Sequence, residues 1–219
     1  CRLLKRGFLR NIKRLSISSR KNIQKRLTPI LTFNVPEFLM AKSNKKKPPR
    51  ETVDADDYFM SLAFWTATRS RDPHRQEGAV IVQDNRIISA EPNGVPDLIR
   101  DDDFSWERSE RLDYVERAIP NALWAAAPQM VGRDSEQTMY VTSFPSKRCM
   151  RGIVRAKLEK VVWFPLHDKM GLAAEMSDKE IEAVKKLATL SKITVEEYKG
   201  NLNWMRDQIA KFEAVGIFK

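Results

Sequence analysis

Cysteine is nearly absent. Cys1 and Cys149 are the only two in 219 residues, so at most one long-range bridge could form; a disulfide framework is excluded and a reducing compartment is expected. With 8 glycines and 11 prolines, and no repeat at a period of about 20–50 residues, collagen-like and solenoid architectures are excluded. No apolar run approaches the roughly 20 residues of a bilayer-spanning helix, so no membrane span is expected. Histidine is as scarce as cysteine: His74 and His167 fall in predicted loops, where a lone imidazole is a solvated side chain more often than a metal ligand.

What is abundant is positive charge, and it is unevenly placed. Residues 1–50 hold 15 Lys/Arg and a single acid, Glu37, whereas residues 51–219 hold 24 basic and 28 acidic side chains. The remainder is thus mildly acidic, and a basic face suited to duplex binding is not expected there. The N-terminal arm alone is expected to bind polyanions weakly and with strong salt dependence.

Within that arm, Leu3, Leu4, Phe8, Ile12 and Leu15 alternate with Lys5, Arg6, Arg10, Lys13 and Arg14, a basic amphipathic pattern that resembles an organellar transit peptide. Two alternatives stand beside it: an extension upstream of the true start, since Met40 opens an ordinary polar N-terminus, and a nucleic-acid arm. A cytoplasmic location is expected, or a mitochondrial one if residues 1–39 are a transit peptide. Residues 41–52, with three consecutive lysines and Pro48-Pro49, read as a disordered linker. The expected organisation is an extension over 1–53, a folded domain over 54–200, and a C-terminal amphipathic helix over 201–219 packed on the domain.

From Asp54 the pattern becomes periodic. Asp56 and Asp57 open a helix carrying Phe59, Leu62, Ala63 and Trp65, closed by Arg69 and Arg71 before Pro73. Gly78–Val82 and Arg86–Ala90 read as a hairpin around Gln83-Asp84-Asn85. A loop at Asn93-Gly94-Val95-Pro96 and a polar stretch to about residue 113, too charged to be core, precede a helix over 118–127 with Pro120 in its tolerated first turn. A strand over 138–143, a helix over 145–158, a strand over 160–164, a helix from Ser177-Asp178 to Leu190, a short edge strand over 193–198 and a helix over 201–214 complete the order. Strands alternating with helices of these lengths predict an α/β domain of three layers with a parallel section.

The stretches DDYFMSLAFWTATRSRDPHRQEGAVIV, PNGVP and MYVTSFPSKRCMRGIVRAKLEKVVWF resemble the deoxycytidylate (dCMP) deaminase family of zinc-dependent nucleotide deaminases, in order and spacing across residues 54–198. The resemblance implies a cytidine-deaminase-like α/β/α sandwich with a five-stranded mixed sheet. Such enzymes use H-x-E at one helix start and P-C-x-x-C at the next: three protein ligands hold zinc, the metal makes hydroxide, and the Glu shuttles its proton. In this chain Arg117 stands at the first ligand position, Ile119 at the catalytic Glu and Ser146 at the second ligand; Cys149 alone is retained. Glu116 is no substitute, because adjacent helical residues point about 100° apart. Arg117 would repel zinc, yet its guanidinium suits an anion or a carboxylate in the same hole.

Further expectations follow from the resemblance. Asn93 and Gly94 match the loop that grips the nucleotide, with an ordinary Asn-Gly turn as the alternative. Arg69 and Arg71, with Arg75, resemble a phosphate-side basic loop, or else a solvated helix end. Glu77 departs from the family's apolar residue, and Glu91-Pro92 from its Gly-Tyr. The function expected is that of a catalytically inactive homologue, without metal, serving as a nucleotide-binding, regulatory or structural subunit with a deoxynucleotide as ligand. The alternative is a divergent deaminase that recruits zinc through other residues; a third reading uses the arm for RNA or DNA. A homo- or hetero-oligomer is expected through Leu123, Trp124, Met150, Ile153, Trp204 and Phe212.

Overall fold

The computed structural model describes residues 51–130, 136–170 and 176–217. The expectations for residues 1–50, transit peptide and linker included, lie outside these. The described chain runs α1 (Ala55–Ala67), β1 (Gly78–Gln83), β2 (Arg86–Pro92), α2 (Arg108–Tyr114), α3 (Ala118–Met130), β3 (Gln137–Val141), α4 (Lys147–Ala156), β4 (Lys160–Trp163), α5 (Leu166–Lys169), α6 (Asp178–Ser191), β5 (Thr194–Glu197) and α7 (Asn203–Ala214).

The strands form one sheet in the order β2-β1-β3-β4-β5. β1 runs antiparallel to both β2 and β3, whereas β3, β4 and β5 are mutually parallel, as the alternating helices require. At the hairpin tip Asp84 and Asn85 both adopt positive φ, 50° and 58°, the pair of left-handed residues a tight turn between right-twisted strands demands. Because β1 and β3 are central, both faces are covered and their sequences read as near-continuous apolar runs. Ala79, Ile81, Met139, Val141 and Val161 pack with α3, α4 and α6 on one face. Val80, Val82, Tyr140 and Val162 meet Phe59, Met60 and Ala63 of α1 on the other, the period-2 alternation of a pleated strand.

Local chemistry sets the helix ends. Asp54 caps α1 by accepting from Asp56 N at 2.9 Å, and Ser146 caps α4 by accepting from Cys149 N at 3.2 Å. Lys157 and Lys192 end α4 and α6 in the left-handed conformation that commonly closes a helix. Gly78 has no substitute: a Cβ there would lie 2.0 Å from Ala63 O and 2.6 Å from Ala67 N, so its bare backbone sets how closely α1 approaches β1.

The structure corrects several expectations. The polar stretch before residue 113 is partly core: Phe104 and Arg111 are buried and α2 forms within it, because Asp72 neutralises Arg111. Met150 and Ile153, expected on an oligomer surface, are fully buried; they and Cys149 are the large apolar side chains with which α4 faces the core. Of the remaining residues named for that surface, Trp124 is 61% exposed and Phe212 is exposed. The helix begun at Ala118 runs to Met130 with Pro128 inside it. His167 falls in the short helix α5 rather than a loop. No described helix is long and apolar enough to cross a membrane.

Candidate functional site

Sheet topology gathers the site at one end of the sheet. β1 is antiparallel to β3 with Ala79 opposite Val141, so the residue before β1, Glu77, comes beside Ser143 after β3. Gly78 extends the register: its N–H donates to Thr142 Oγ1 at 3.0 Å, and Thr142 N donates back to Gly78 O at 3.1 Å. Asn93, just past β2, donates its backbone N–H to Glu77 O at 3.0 Å. Arg117 immediately precedes α3, and Ser146 precedes α4. Three strand ends and two helix starts therefore meet.

At their centre Arg117 and Glu77 form a two-pronged ion pair. Arg117 Nε donates to Glu77 Oε2 at 3.1 Å and Nη2 to Oε1 at 2.7 Å, the planar fork geometry that suits a carboxylate. Nη2 also donates to Ser143 Oγ at 2.9 Å and approaches Phe144 O at 3.5 Å. One guanidinium thus joins the start of β1, the start of α3 and the loop after β3. The Glu77 side chain is 4% exposed and that of Arg117 23%, so the carboxylate is held where an uncompensated charge would be strongly unfavourable. The expectation that Arg117 suits a carboxylate is met from within the chain.

The neighbours of this pair are committed as well. Ile119, two residues on, is fully buried in the same apolar cluster as Cys149. Burial pushes the Cys149 thiol up, outweighing the opposing pull of Arg117 and of the Ser146 hydrogen bonds; the thiol stays protonated and inert. Glu116 is turned elsewhere. Its Oε1 accepts from Arg117 N at 3.1 Å and its Oε2 from Arg148 Nη2 at 2.6 Å, while its backbone bridges Gly94 in both directions.

A second polar network supports the first. Asn93 is buried, its Oδ1 accepting from Glu77 N at 2.7 Å and its Nδ2 donating to Arg75 O at 2.9 Å and toward Asp72 Oδ2 at 3.4 Å. Asp72 also accepts from His74 N and Arg75 N and from the buried Arg111. The structure therefore brings Asn93, Gly94, Arg117, Ile119, Ser146 and Cys149 into one region. Arg69 and Arg71 are exposed instead, and Arg71 pairs with Asp101 at 2.9 Å. Sequence reasoning assigns no role to Ser143, Asp72 or Arg111, and marks Glu77 only as a departure. The available signal is that Glu77 and Arg117, two of the residues expected to depart from the family pattern, carry opposite charge.

The comparisons decide the family. The cytidine and deoxycytidylate deaminase zinc-binding region matches residues 53–164. The chain belongs to this deaminase family. The probable deoxycytidylate deaminase of Drosophila melanogaster is 32% identical over 139 residues, covering 59% of this chain and 68% of that protein. Deoxycytidylate deaminase of Homo sapiens is 32% identical over 112 residues, covering 49% of this chain and 62% of the human protein; this chain thus spans about three fifths of that relative's length. The dCMP deaminase of cyanophage S-TIM5 in apo form matches with a TM-score of 0.50 at 18% identity, over 68% of this chain and all of that one, a likeness of fold. The α/β sandwich with a five-stranded mixed sheet is the deaminase fold that the sequence resemblance implied.

Deaminases of this family are described by a zinc-binding region, and the residues here do not fit a zinc ion. A guanidinium has no lone pair to give, the Ser146 hydroxyl accepts from Cys149 N, and Cys149 alone is a soft donor, against the three protein ligands such a site needs. Among the described residues no group of three or more His, Cys, Asp or Glu could hold a metal ion.

Proposed function

We propose that the chain is a catalytically inactive member of the deaminase family, serving as a nucleotide-binding, regulatory or structural subunit. The observation that carries this reading is the Arg117–Glu77 pair. The family chemistry needs a ligand at position 117 and an acid/base at position 119; here the first is a cation committed to a carboxylate, and the second is an isoleucine sealed in the apolar core. The two glutamates nearby, Glu77 and Glu116, are each engaged by an arginine, Arg117 and Arg148. The relatives are named for deoxycytidylate, so that nucleotide is the ligand to test, and a subunit role calls for an oligomer, read by sedimentation.

The test is metal analysis beside an ammonia-release assay. Purified protein is expected to hold well under one zinc per chain and to leave dCMP unconverted; stoichiometric zinc with measurable turnover overturns the reading in favour of a divergent deaminase. Reconstruction checks the residue placement. The variant Arg117→His, Ile119→Glu, Ser146→Cys supplies two further ligands beside Cys149 but takes the guanidinium away from the buried Glu77. Adding Glu77→Val is therefore expected to raise both folded yield and zinc occupancy. A well-folded fourfold variant that binds no zinc counts against the placement.

A further inference from the structure

The charge of the folded residues is segregated in a way their totals conceal. α3, AIPNALWAAAPQM, contains no charged residue, and α4, KRCMRGIVRA, contains four cations and no acid. The two lie side by side so closely that a Cβ on Gly152 would sit 3.0 Å from Leu123 Cδ1. On α4 the cations Lys147, Arg148, Arg151 and Arg155 are all exposed or half-buried, opposite the buried Cys149, Met150 and Ile153. At about 100° and 1.5 Å per residue they fall within an arc of about 100° along roughly 12 Å of helix. Only Arg148 has an ion-pair partner among the described residues, Glu116. Lys147 and Arg148 occupy the first turn, where the helix macrodipole disfavours cations, so this placement works against the stability of the helix itself. The residue after Leu123 on α3, Trp124, leaves 61% of its surface in solvent.

We propose that this α3–α4 face binds single-stranded nucleic acid, with Lys147, Arg148, Arg151 and Arg155 along the phosphates and Trp124 stacking on a base. The inference does not depend on whether the chain turns over a nucleotide. A cationic stripe on a helix without acids of its own, one of its four cations paired with Glu116, and an exposed indole on the adjoining helix supply the two elements sequence-tolerant strand binding uses: a track for the backbone and a platform for the bases. Arginine favours phosphate through its planar fork of donors. An acidic protein surface would meet the stripe equally well and would also cover an exposed indole, which is why polyglutamate serves as a competitor in the experiment. The same chain carries a second polycationic segment in residues 1–50, in keeping with a polyanionic partner.

The experiment uses the full chain and a fluorescein-labelled 20-nucleotide RNA, with anisotropy followed as a function of salt. Every phosphate of a single strand that the protein no longer neutralises lowers the slope of log K against log salt by about 0.7. Arg151→Gln with Arg155→Gln is thus expected to lower the slope by about 1.4 and weaken binding more than tenfold at about 0.1 M salt, although residues 1–50 are intact in both proteins. Trp124→Ala is expected to weaken binding about fivefold or more with the slope unchanged. Thermal melting verifies that both variants remain folded, as substitutions at exposed positions should. The proposal is overturned if wild type does not bind the RNA, if the arginine variant keeps both slope and affinity, or if Trp124→Ala has no effect. It is also overturned if a duplex of the same sequence binds as tightly as the strand, or if polyglutamate of equal charge displaces the RNA as readily as unlabelled RNA does.

Discussion

The two faces of the sheet are built on different principles. Under α3, α4 and α6 the core is largely aliphatic, with Ile81, Met139, Val141, Met150, Ile153 and Val161 all fully buried. Under α1 it is aromatic. Phe59 lies 5.5 Å from Tyr140, Phe64 4.9 Å from Phe164 and Phe164 6.0 Å from Tyr198, centroid to centroid. Tyr140 and Tyr198 donate their hydroxyls to Asp56 and Asp57, both in the first turn of α1. On the aliphatic face α3 is tied to β2 by three side chains, Ser89 Oγ donating to Ala122 O at 2.8 Å, Asn121 Nδ2 to Pro92 O at 2.9 Å and Gln129 Nε2 to Ile88 O at 2.8 Å, and the Arg117–Glu77 pair lies at its edge. The aromatic face holds its helix by named hydrogen bonds and by the close approach at Gly78. An ion pair, two amides and a serine hydroxyl thus position α3 on one side, and two tyrosine hydroxyls position α1 on the other.

The largest expected effect tests the aliphatic face directly. Ile153→Ala removes a fully buried side chain from between α4 and the sheet and is expected to destabilise by about 2–5 kcal/mol in denaturant unfolding. A loss under about 1 kcal/mol would show that this face tolerates cavities and that its packing is not the main support. Next comes the ion pair. Arg117→Ala removes the guanidinium from a buried carboxylate and is expected to cost about 3 kcal/mol. The double change Arg117→Ala, Glu77→Ala should be less damaging than the sum of the singles; additive losses would mean that the two side chains act independently.

The smallest effects belong to the aromatic face. Tyr140→Phe and Tyr198→Phe are each expected to lose about 1 kcal/mol near neutral pH. Burial first, and then the hydrogen bond to the aspartate, raises both phenols above the ordinary tyrosine range. The folded state thus keeps protons that the unfolded chain releases. This contribution is fully present below the ordinary tyrosine value of about 10 and declines as pH climbs above it. Unfolding midpoints measured from about pH 9 to about 11.5 should fall less steeply in the double Tyr→Phe variant than in wild type; parallel curves would place the alkaline sensitivity elsewhere.

How much of this is legible in the sequence depends on whether the deciding interaction is local. The central strands, the hairpin turn at Asp84-Asn85 and the helix starts at Asp54 and Ser146 are short-range features, within reach of pattern and propensity. The flanks of Arg117, Ile119 and Ser146 carry the expectation that these residues stand at the family's motif positions, and the structure brings the three into one region with Cys149. What escapes is long-range pairing. Glu77 and Arg117 are 40 residues apart, as Asp72 and Arg111 nearly are, and no periodicity marks which charges will meet. A charged residue in a polar run is normally solvated; only its partner brings Arg111 inside. Met150 and Ile153 lie in the core rather than on an oligomer surface because α4 has scarcely any other apolar side chains with which to anchor itself.

The bond between Glu77 and Arg117 also acts as a ratchet on the chain's history. A single replacement of Arg117 by a neutral residue takes the guanidinium from a sealed-in carboxylate, and a single replacement of Glu77 by an apolar residue takes away the carboxylate that both prongs of the guanidinium meet. Both of these single replacements are expected to cost stability, so the two codons are expected to change together more readily than one at a time.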